Sequence, residues 1–444
     1  MELLQGCLTR IAMTNPKINA IVALDEAGAL ASARQSEERQ RAGKRLGPLD
    51  GIPLSIKDNL FVRGMPATWG SRLYATFVPE EDDLWVSRLR AGGAVIVGKT
   101  NTPEFALATH TENALFGATR NPWSTDHVPG GSSGGAAASV ASGMLPLAIG
   151  TDAGGSIRLP ASFTGLVGLK PSVGRIPRLH GFPAMVTDFQ VIGLLARSVR
   201  GVEMVLRVLA GADGRDRASL AFRGEAAAVL QQPVRVGVVD AVGGEPMDTE
   251  VIAALRDAAE RMAGQGFIVE PKAAPYDLDL LKRFWAVLSS AGLARVIARF
   301  PEAQYSDVNP AMLALARQGA GVTGAQYAVA LDQLGAFRAA AAAAFAPSDV
   351  LLTPSSPVLP WRVGESPPLT IEGREANPRT PLAFSTYANA TGYPAISVPW
   401  TRSRSGLPIG VQIVARYGQE RILLAVAREL ERLSPWKDAR PPQL

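Results

Sequence analysis

A tract rich in small residues, from position 130 to position 171, is the feature that most limits how this chain can fold. The run PGGSSGG (129–135) marks its beginning, and the run GTDAGGSIRLPAS (150–162) lies inside it. Glycine loses more conformational entropy on folding than any other residue, so such runs destabilise a fold unless the backbone has a task there. The apolar runs MLPLAIG and LVGLKP lie within the tract and predict that it belongs to the core and is not a linker.

The composition bounds the class of protein. Of the 444 residues, 47% are hydrophobic and 19% are charged, which is typical of a globular protein. The net charge is +5 without a block of Lys and Arg, so we expect no nucleic-acid partner. A single cysteine, Cys7, and three histidines disfavour a disulfide or a metal centre, and we expect no metal and no cofactor.

The opening MELLQGCLTR differs from a secretory signal, and no uninterrupted apolar run has membrane-spanning length. We therefore expect a cytoplasmic protein with no membrane partner.

Segments typical of helices and of strands alternate along the chain. Residues 1–45 are rich in helix formers, and DDLWVSRLRAGG predicts a helix that is followed by the buried strand AVIVGKT. The same order recurs where residues 250–265 precede FIVE and where residues 339–344 precede DVLLTP. This alternation predicts an α/β fold with a large, mostly buried β-sheet.

Lys57 ends a short segment in which Ile52, Leu54 and Ile56 alternate with other residues. A period of two is typical of a β-strand and places Lys57 on the face opposite the three apolar side chains. A lysine in water has a pKa of about 10.4 and is protonated. Because burial disfavours the charged form, a buried Lys57 is a candidate general base, whereas a solvated one is an ordinary strand-end lysine.

The Gly-Ser runs leave three interpretations open. Glycine-rich loops bind phosphate through backbone N–H groups, although neither run matches G-x-x-x-x-G-K-[ST]. Residues 130–134 satisfy G-x-S-x-G, although the one histidine downstream, His180, lies far from the C-terminal region in which such hydrolases carry theirs. The third interpretation is a serine nucleophile with a lysine as its base.

Several longer stretches extend these motifs. They are LDGIPLSIKDN, AGGAVIVGKTNTPEFA, LFGATRNPW, PGGSSGGAAASVASGMLPLAIGTDAGGSIRLPASFTGLVGLKPSVGRIP, GYPAISVP and GLPIGVQIVA. In these stretches the chain resembles the amidase signature family, from about residue 15 to the C-terminal region and most weakly between about residues 200 and 345. The resemblance implies an α/β fold with a large twisted mixed β-sheet flanked by helices on both faces. Thr164 stands where many members carry a cysteine.

The resemblance also implies a Ser–cis-Ser–Lys triad. Carried onto this chain, Ser156 is the nucleophile, Ser132 is the bridging serine and Lys57 is the base, with a cis peptide bond between Gly131 and Ser132. Preorganised backbone N–H donors at Ala153, Gly154, Gly155 and Ser156 are expected to form an oxyanion hole. Supporting residues are expected at Gly131, Ser133, Thr151, Asp152 and Arg158, and Ala106 is expected in the acyl pocket.

The predicted function is that of an amidase that hydrolyses a small aryl or aliphatic linear amide to an acid and ammonia or an amine. One alternative is the ammonia-generating component of a tRNA-dependent amidotransferase, which would need partner subunits and glutamine. Another is a catalytically inactive binding protein on the same fold. Family members are often homodimers, so the resemblance implies that this chain also forms a homodimer.

The predicted organisation is a single amidase domain over residues 1–444. Its parts are a helical segment (1–45), a catalytic core (50–175), a variable substrate-determining region (176–345) and a C-terminal part of the sheet and helices (346–444). A charged substrate would require a convergent arginine, for which Arg175, Arg317 and Arg379 are candidates.

Overall fold

The computed structural model describes residues 1–222, 233–434, 436 and 439–442, in which helices and strands alternate along the chain. The helices are α1 (Glu2–Ile18), α2 (Glu26–Arg41), α3 (Leu84–Ala91), α4 (Gly134–Ala141), α5 (Arg158–Thr164), α6 (Val199–Leu209), α7 (Thr249–Ala263), α8 (Leu278–Ile297), α9 (Pro310–Ala320), α10 (Gly324–Phe345), α11 (Thr386–Ala390) and α12 (Glu420–Leu433). The strands are β1 (Ile21–Leu24), β2 (Pro53–Lys57), β3 (Val95–Thr100), β4 (Leu147–Asp152), β5 (Val167–Lys170), β6 (Val191–Ala196), β7 (Arg235–Val238), β8 (Ile268–Pro271), β9 (Val350–Pro354), β10 (Thr370–Ile371), β11 (Arg374–Glu375), β12 (Ala395–Arg402) and β13 (Pro408–Ala415).

Eleven of these strands form one mixed sheet, in the order β1-β3-β2-β4-β6-β5-β12-β13-β9-β7-β8. Strands β3, β2 and β4 run parallel to one another, as do β9, β7 and β8, and the strands between these two groups pair antiparallel. Helices pack on both faces, with α4 and α5 in contact on one of them and α3, α6, α7 and α12 packed together in another layer. The predicted α/β fold with a large mixed sheet is confirmed.

The parallel pair β2 and β4 places two polar strand ends side by side. Ile56 of β2 pairs with Ile149 of β4, so Lys57 and Asp152 both lie at the carboxyl ends of these two parallel strands. The alternation expected for β2 holds: Leu54 and Ile56 lie in the largest apolar core cluster, whereas Ser55 contacts Ser139 of α4. The helices α4 and α5 begin within the two Gly-Ser runs, at Gly134 and Arg158, and the second run includes the end of β4 at Asp152.

The first 45 residues differ from the uniformly helical segment that was expected. The chain leaves α1 at Asn19, which has a φ of 55°, and enters the short strand β1, which pairs antiparallel with β3. The Asn15 side chain accepts hydrogen bonds from the backbone N–H groups of Ala20 and Ile21 and so stabilises this exit. The pairing of β1 with an already buried strand outweighs the helical propensity of its neighbours.

By length and composition alone, α10 is able to cross a membrane. Its buried residues include Leu334, Phe337 and Phe345, and the Phe337 ring lies 5.4 Å from that of Phe284 on α8. One such helix is weak evidence for a membrane segment, because helices that pack on the core of a globular protein pass the same test.

Candidate active site

Lys57 lies at the end of β2 and is completely buried. Its Nζ is 2.7 Å from Ser132 Oγ and 3.0 Å from Thr151 Oγ1. Asn59 Nδ2 donates to the same Thr151 hydroxyl oxygen at 3.1 Å. Burial holds the pKa of the Lys57 amine well below its usual range, and the negative charge of Asp152 opposes that shift only in part. A lysine in this setting gives up its proton more readily than one in water.

Ser132 and Ser133 occupy the turn that leads into α4, and both are buried. The peptide bond between Gly131 and Ser132 is cis. Ser133 donates its backbone N–H to the Ser156 carbonyl oxygen at 3.1 Å and its hydroxyl to the Thr151 carbonyl oxygen at 3.0 Å. Ser133 therefore connects the turn of Ser132 to β4 and to the loop of Ser156.

Ser156 lies in the loop between β4 and α5, where two glycines approach the C-terminal part of the chain. Gly155 has a φ of 129°, and a Cβ at this position would lie 2.2 Å from Ser385 Oγ. The Gly154 carbonyl oxygen accepts hydrogen bonds from the hydroxyls of Ser385, at 2.8 Å, and Thr386, at 3.0 Å. Gly155 is required here, because a residue with a Cβ would collide with Ser385 and would be strained at this φ.

A completely buried ion pair braces the same loop. Arg158 contacts both carboxylate oxygens of Asp152, at 3.0 Å from Nε and 2.9 Å from Nη2. The remaining donors of the guanidinium bind the Ser385 carbonyl oxygen, Gln412 Oε1 and Asn389 Oδ1. Although burial alone would raise the pKa of Asp152, the Arg158 guanidinium holds it well below its usual range. Asp152 is therefore a structural anion here and is placed to orient the loop, not to exchange protons.

The expected oxyanion donors need one correction. The backbone N–H of Gly155 donates to Asp152 Oδ1 at 2.8 Å, and that of Ile157 donates to Oδ2 at 3.0 Å. The Gly155 donor is therefore already used in this structure. The N–H groups of Ala153, Gly154 and Ser156 have no acceptor within the described part of the chain.

A cavity of about 360 Å³ opens beside these residues. Its wall includes Ser132, Thr151, Ala153, Gly154 and Ser156, together with the expected pocket residue Ala106. The rest of the lining is largely apolar. It comes from the 105–110 segment, the 185–190 segment, α8, the start of α9 and the 378–382 segment, and it includes Met185, Trp285, Met312, Arg379 and Leu382.

The three histidines have separate surroundings. His110 lines the cavity, and burial lowers the pKa of its imidazole, which favours the neutral form. His127 lies outside the cavity wall, 2.9 Å from Ser124 Oγ through Nδ1, and His180 pairs with Glu81 at 3.0 Å. In the described residues, no three His, Cys, Asp or Glu side chains gather as metal ligands do.

Four polar residues of the site did not emerge from the sequence analysis. They are Ser385, Thr386, Asn389 and Gln412, all of them buried and bonded to the loop that carries Ser156 or to its ion pair. The sequence did contain an indication of them. The segments FSTYANATGYP and GVQIVA carry polar residues among apolar or small ones, and such residues require hydrogen-bond partners when they are buried.

Comparisons with known proteins agree with this architecture. A family model described as Amidase matches residues 2–424. A glutamyl-tRNA(Gln) amidotransferase subunit of Synechococcus sp. (strain WH7803) is 38% identical, over 99% of this chain and 95% of the relative. Among solved structures, 6-aminohexanoate cyclic dimer hydrolase in complex with its substrate superposes with a TM-score of 0.88 at 33% identity, over 100% of this chain and 95% of that one. A bacterial aryl acylamidase of the amidase signature enzymes also gives 0.88, at 27% identity, over 98% and 94%.

Proposed function

This chain belongs to the amidase signature family of amide C–N hydrolases, and we propose that it cleaves a linear carboxylic amide through an acyl-enzyme on Ser156. The observation that carries the proposal is the 2.7 Å distance between Lys57 Nζ and Ser132 Oγ, at a site where burial lowers the pKa of the lysine. A neutral amine at this distance is able to accept the hydroxyl proton of Ser132. Ser132 and Ser156 line one cavity, which supports a proton relay between nucleophile and base.

In the acylation step, Ser156 Oγ attacks the carbonyl carbon of the amide as its proton passes to Ser132, whose own proton passes to Lys57. The tetrahedral intermediate carries a negative oxygen, and the unpaired N–H groups of Ala153, Gly154 and Ser156 are the donors available to it. Amines are poor leaving groups as anions, so the leaving nitrogen must be protonated as the C–N bond breaks. Ser132 gives it that proton and recovers one from Lys57.

Deacylation uses the same relay in the same order. A water molecule loses a proton to Ser132, and its oxygen attacks the ester carbon of the acyl-enzyme. The ester bond to Ser156 Oγ breaks, the proton returns to that oxygen, and the carboxylic acid leaves. The scheme requires Lys57 to be neutral at the start of each cycle, which its lowered pKa favours.

The substrate that the cavity supports best is a small amide with an aryl or aliphatic acyl group. Part of the lining is apolar and suits such a group, namely Met185, Trp285, Met312 and Leu382. Two of the structural relatives carry names of the same kind, one an aryl acylamidase and the other a hydrolase of a cyclic dimer of 6-aminohexanoate, which has an aliphatic chain.

A second candidate function is the amidase component of a tRNA-dependent amidotransferase that works with partner subunits. The 38% identity over 95% of one such amidotransferase chain supports it, and among the sequence relatives this is more direct support than the small-amide candidate has. The composition of the cavity favours the small amide instead. Glutamine carries both a carboxylate and an ammonium group, and although Arg379 could face the carboxylate, none of the described residues that line the cavity is a carboxylate that could pair with the ammonium group.

The test is labelling of the purified chain with a fluorophosphonate, followed by peptide mapping, together with ammonia release from hexanamide, benzamide and glutamine. We expect the adduct on Ser156, its absence in Lys57→Ala, and faster ammonia release from the first two amides. The matched control Ser87→Ala, at an exposed serine of α3, should label as the wild type does. An adduct on Ser132 or Ser133 would overturn the assignment of the nucleophile. Ammonia release from glutamine alone, or only after partner subunits are added, would favour the second candidate.

A further inference from the structure

Arg379 is the one residue with a permanent charge among the described residues that line the cavity of Ser156. The sequence offered three candidate arginines for a charged substrate, and the structure separates them. Arg175 pairs with Glu420 at 2.9 Å, and Arg317 lies exposed on α9 outside the cavity wall. Only Arg379 of the three contributes to that wall.

The guanidinium of Arg379 is held by stacking and not by an anion. Its Cζ lies 4.4 Å from the centre of the Trp285 ring, and the edge of that ring lies 3.2 Å from the position of a Cβ on Gly154. The stack of Arg379 on Trp285 therefore lies directly beside the loop that carries Ser156. Stacking satisfies the face of a guanidinium and leaves the N–H groups at its edge free to donate.

These N–H groups lack an acceptor. Nη2 of Arg379 is buried and has no hydrogen-bond partner among the described residues, and no Asp or Glu in that part of the chain forms an ion pair with it. Arg379 as a whole is only partly buried, but a buried guanidinium nitrogen usually has a partner, because an unpaired buried polar group is costly. Burial lowers the pKa of Arg379 to about 10, so the guanidinium stays charged at neutral pH.

The guanidinium is not needed to hold its own segment in place. The Arg379 backbone N–H donates to Asn377 Oδ1 at 2.9 Å. Asn377 and Thr380 both donate to Glu245, which forms an ion pair with Lys282. Because these contacts fix residues 377–380 through other groups, the charged end of Arg379 has no structural contact among the described residues apart from its stack on Trp285.

We propose that Arg379 binds a carboxylate of the substrate, so that the preferred substrate is an amide that bears a carboxylate at a distance from the scissile bond. This inference rests on the proposed function, because it assumes that Ser156 attacks an amide in this cavity. A carboxylate matches the planar fork of a guanidinium through two parallel hydrogen bonds. A phosphate dianion would exceed the single positive charge that the cavity supplies, so a carboxylate is the better match.

The test compares two pairs of amides that differ in charge: adipamic acid with hexanamide, and terephthalamic acid with 4-methylbenzamide. We expect the wild type to prefer the carboxylate member of at least one pair by about 30-fold or more in kcat/KM. Arg379→Gln keeps a planar polar group without the charge and should reduce that preference about 30-fold, chiefly through KM. Arg317→Gln makes the same chemical change on the exposed face of α9 and should leave the preference as it is in the wild type.

A binding measurement separates failure of this inference from failure of the proposed function. Calorimetric titration of Ser156→Ala with adipamic acid and terephthalamic acid should give affinities that fall at least tenfold when Arg379→Gln is added. If the wild type hydrolyses neutral and carboxylate amides equally well, the inference is wrong and the proposed function stands. If binding depends on Arg379 while the wild type hydrolyses none of the amides, the proposed function is wrong and the carboxylate site stands.

Discussion

The wall of the cavity has two parts that are built in different ways. In the bonded wall, which carries Ser156, hydrogen bonds and the completely buried Asp152–Arg158 pair hold the backbone, while the Ser156 hydroxyl and three backbone N–H groups have no partner among the described residues. In the apolar wall, Met185, Met312 and Leu382 present apolar side chains, and Arg379 presents an unpaired charge. From this difference we expect dense hydrogen bonding to fix the chemistry, and a few side chains that can change independently to select the substrate.

The largest expected effect comes from Ser156→Ala on the bonded wall. Ammonia release should fall at least about 10⁴-fold in kcat/KM, or about 5.5 kcal/mol. The Ser156 hydroxyl has no hydrogen-bond partner within the described residues, so the free energy of unfolding should change by only about 0.5 kcal/mol. Steady-state kinetics and urea unfolding measure the two quantities, with Ser87→Ala as the control. A variant that retained a tenth of the wild-type activity would show that Ser156 is not the nucleophile.

Lys57→Met should lower kcat/KM about 10³-fold, or about 4 kcal/mol, because it removes the base and keeps the volume of the side chain. In the wild type, kcat/KM should fall as the pH drops through the lowered pKa of Lys57, because the protonated amine cannot accept a proton. Rate profiles against pH measure this. Activity that is greatest in mild acid would contradict a lysine base.

The same variant tests the burial of Lys57 through stability. Because the pKa of Lys57 is lower in the folded chain, the unfolded chain binds more protons below its own pKa of about 10.4. The wild type therefore loses stability as the pH falls from that value towards the folded pKa, and Lys57→Met does not. The difference in Tm, variant minus wild type, should become more positive from about pH 10 to about pH 7. A difference that does not vary with pH would mean that the lysine is charged in the folded state.

Asp152→Asn should destabilise the chain by about 3 kcal/mol at neutral pH, because Arg158 would remain buried without its counter-charge. Arg158 holds the pKa of Asp152 well below its usual range, so this stabilisation is present above the unfolded pKa of about 3.9 and is lost as the pH falls further. Urea unfolding at neutral pH and below about pH 4 measures both statements. Glu37→Gln removes an exposed pair with Arg41 and should change stability by no more than about 0.5 kcal/mol.

The smallest effect is expected on the apolar wall. Met312→Ala enlarges the cavity and should change the ratio of kcat/KM for hexanamide and propanamide about tenfold, or about 1.4 kcal/mol. Stability should fall by less than about 1 kcal/mol, because Met312 is only half-buried. Met13→Ala, at an exposed methionine of α1, is the control and should change neither quantity. If Met312→Ala reduced activity as strongly as Lys57→Met, the contrast between the two walls would fail.

The local sequence pattern predicted well the strand that carries Lys57 and the helix and strand of residues 82–100. The alternation through Leu54 and Ile56 placed Lys57 on the other face of a strand, and the structure has it there, within 2.7 Å of Ser132 Oγ. The helix and strand of residues 82–100 were also predicted, because their apolar periods are strong over short windows. The strand β1 was missed, since four residues between two good helices carry too little pattern to be separated from them.

The rest depends on contacts between residues that are distant in the chain. Arg158 meets Gln412 across 254 positions and Asn389 across 231, and no local pattern encodes such a pairing. The use of the Gly155 N–H by Asp152 depends on one loop conformation among many that glycine allows. The missing acceptor of Arg379 Nη2 could not be predicted from the sequence either, because it depends on which side chains surround the guanidinium in the folded chain.

The brace between the loop of Ser156 and residues 385–412 also bears on the order of events during synthesis. Ser132, Ser156 and Lys57 leave the ribosome early, whereas Ser385, Asn389 and Gln412 follow more than 200 residues later. Until they arrive, the guanidinium of Arg158 lacks three acceptors and the Gly154 carbonyl lacks two donors. We therefore expect a chain that ends before residue 385 to carry the three residues of the proposed relay without amidase activity.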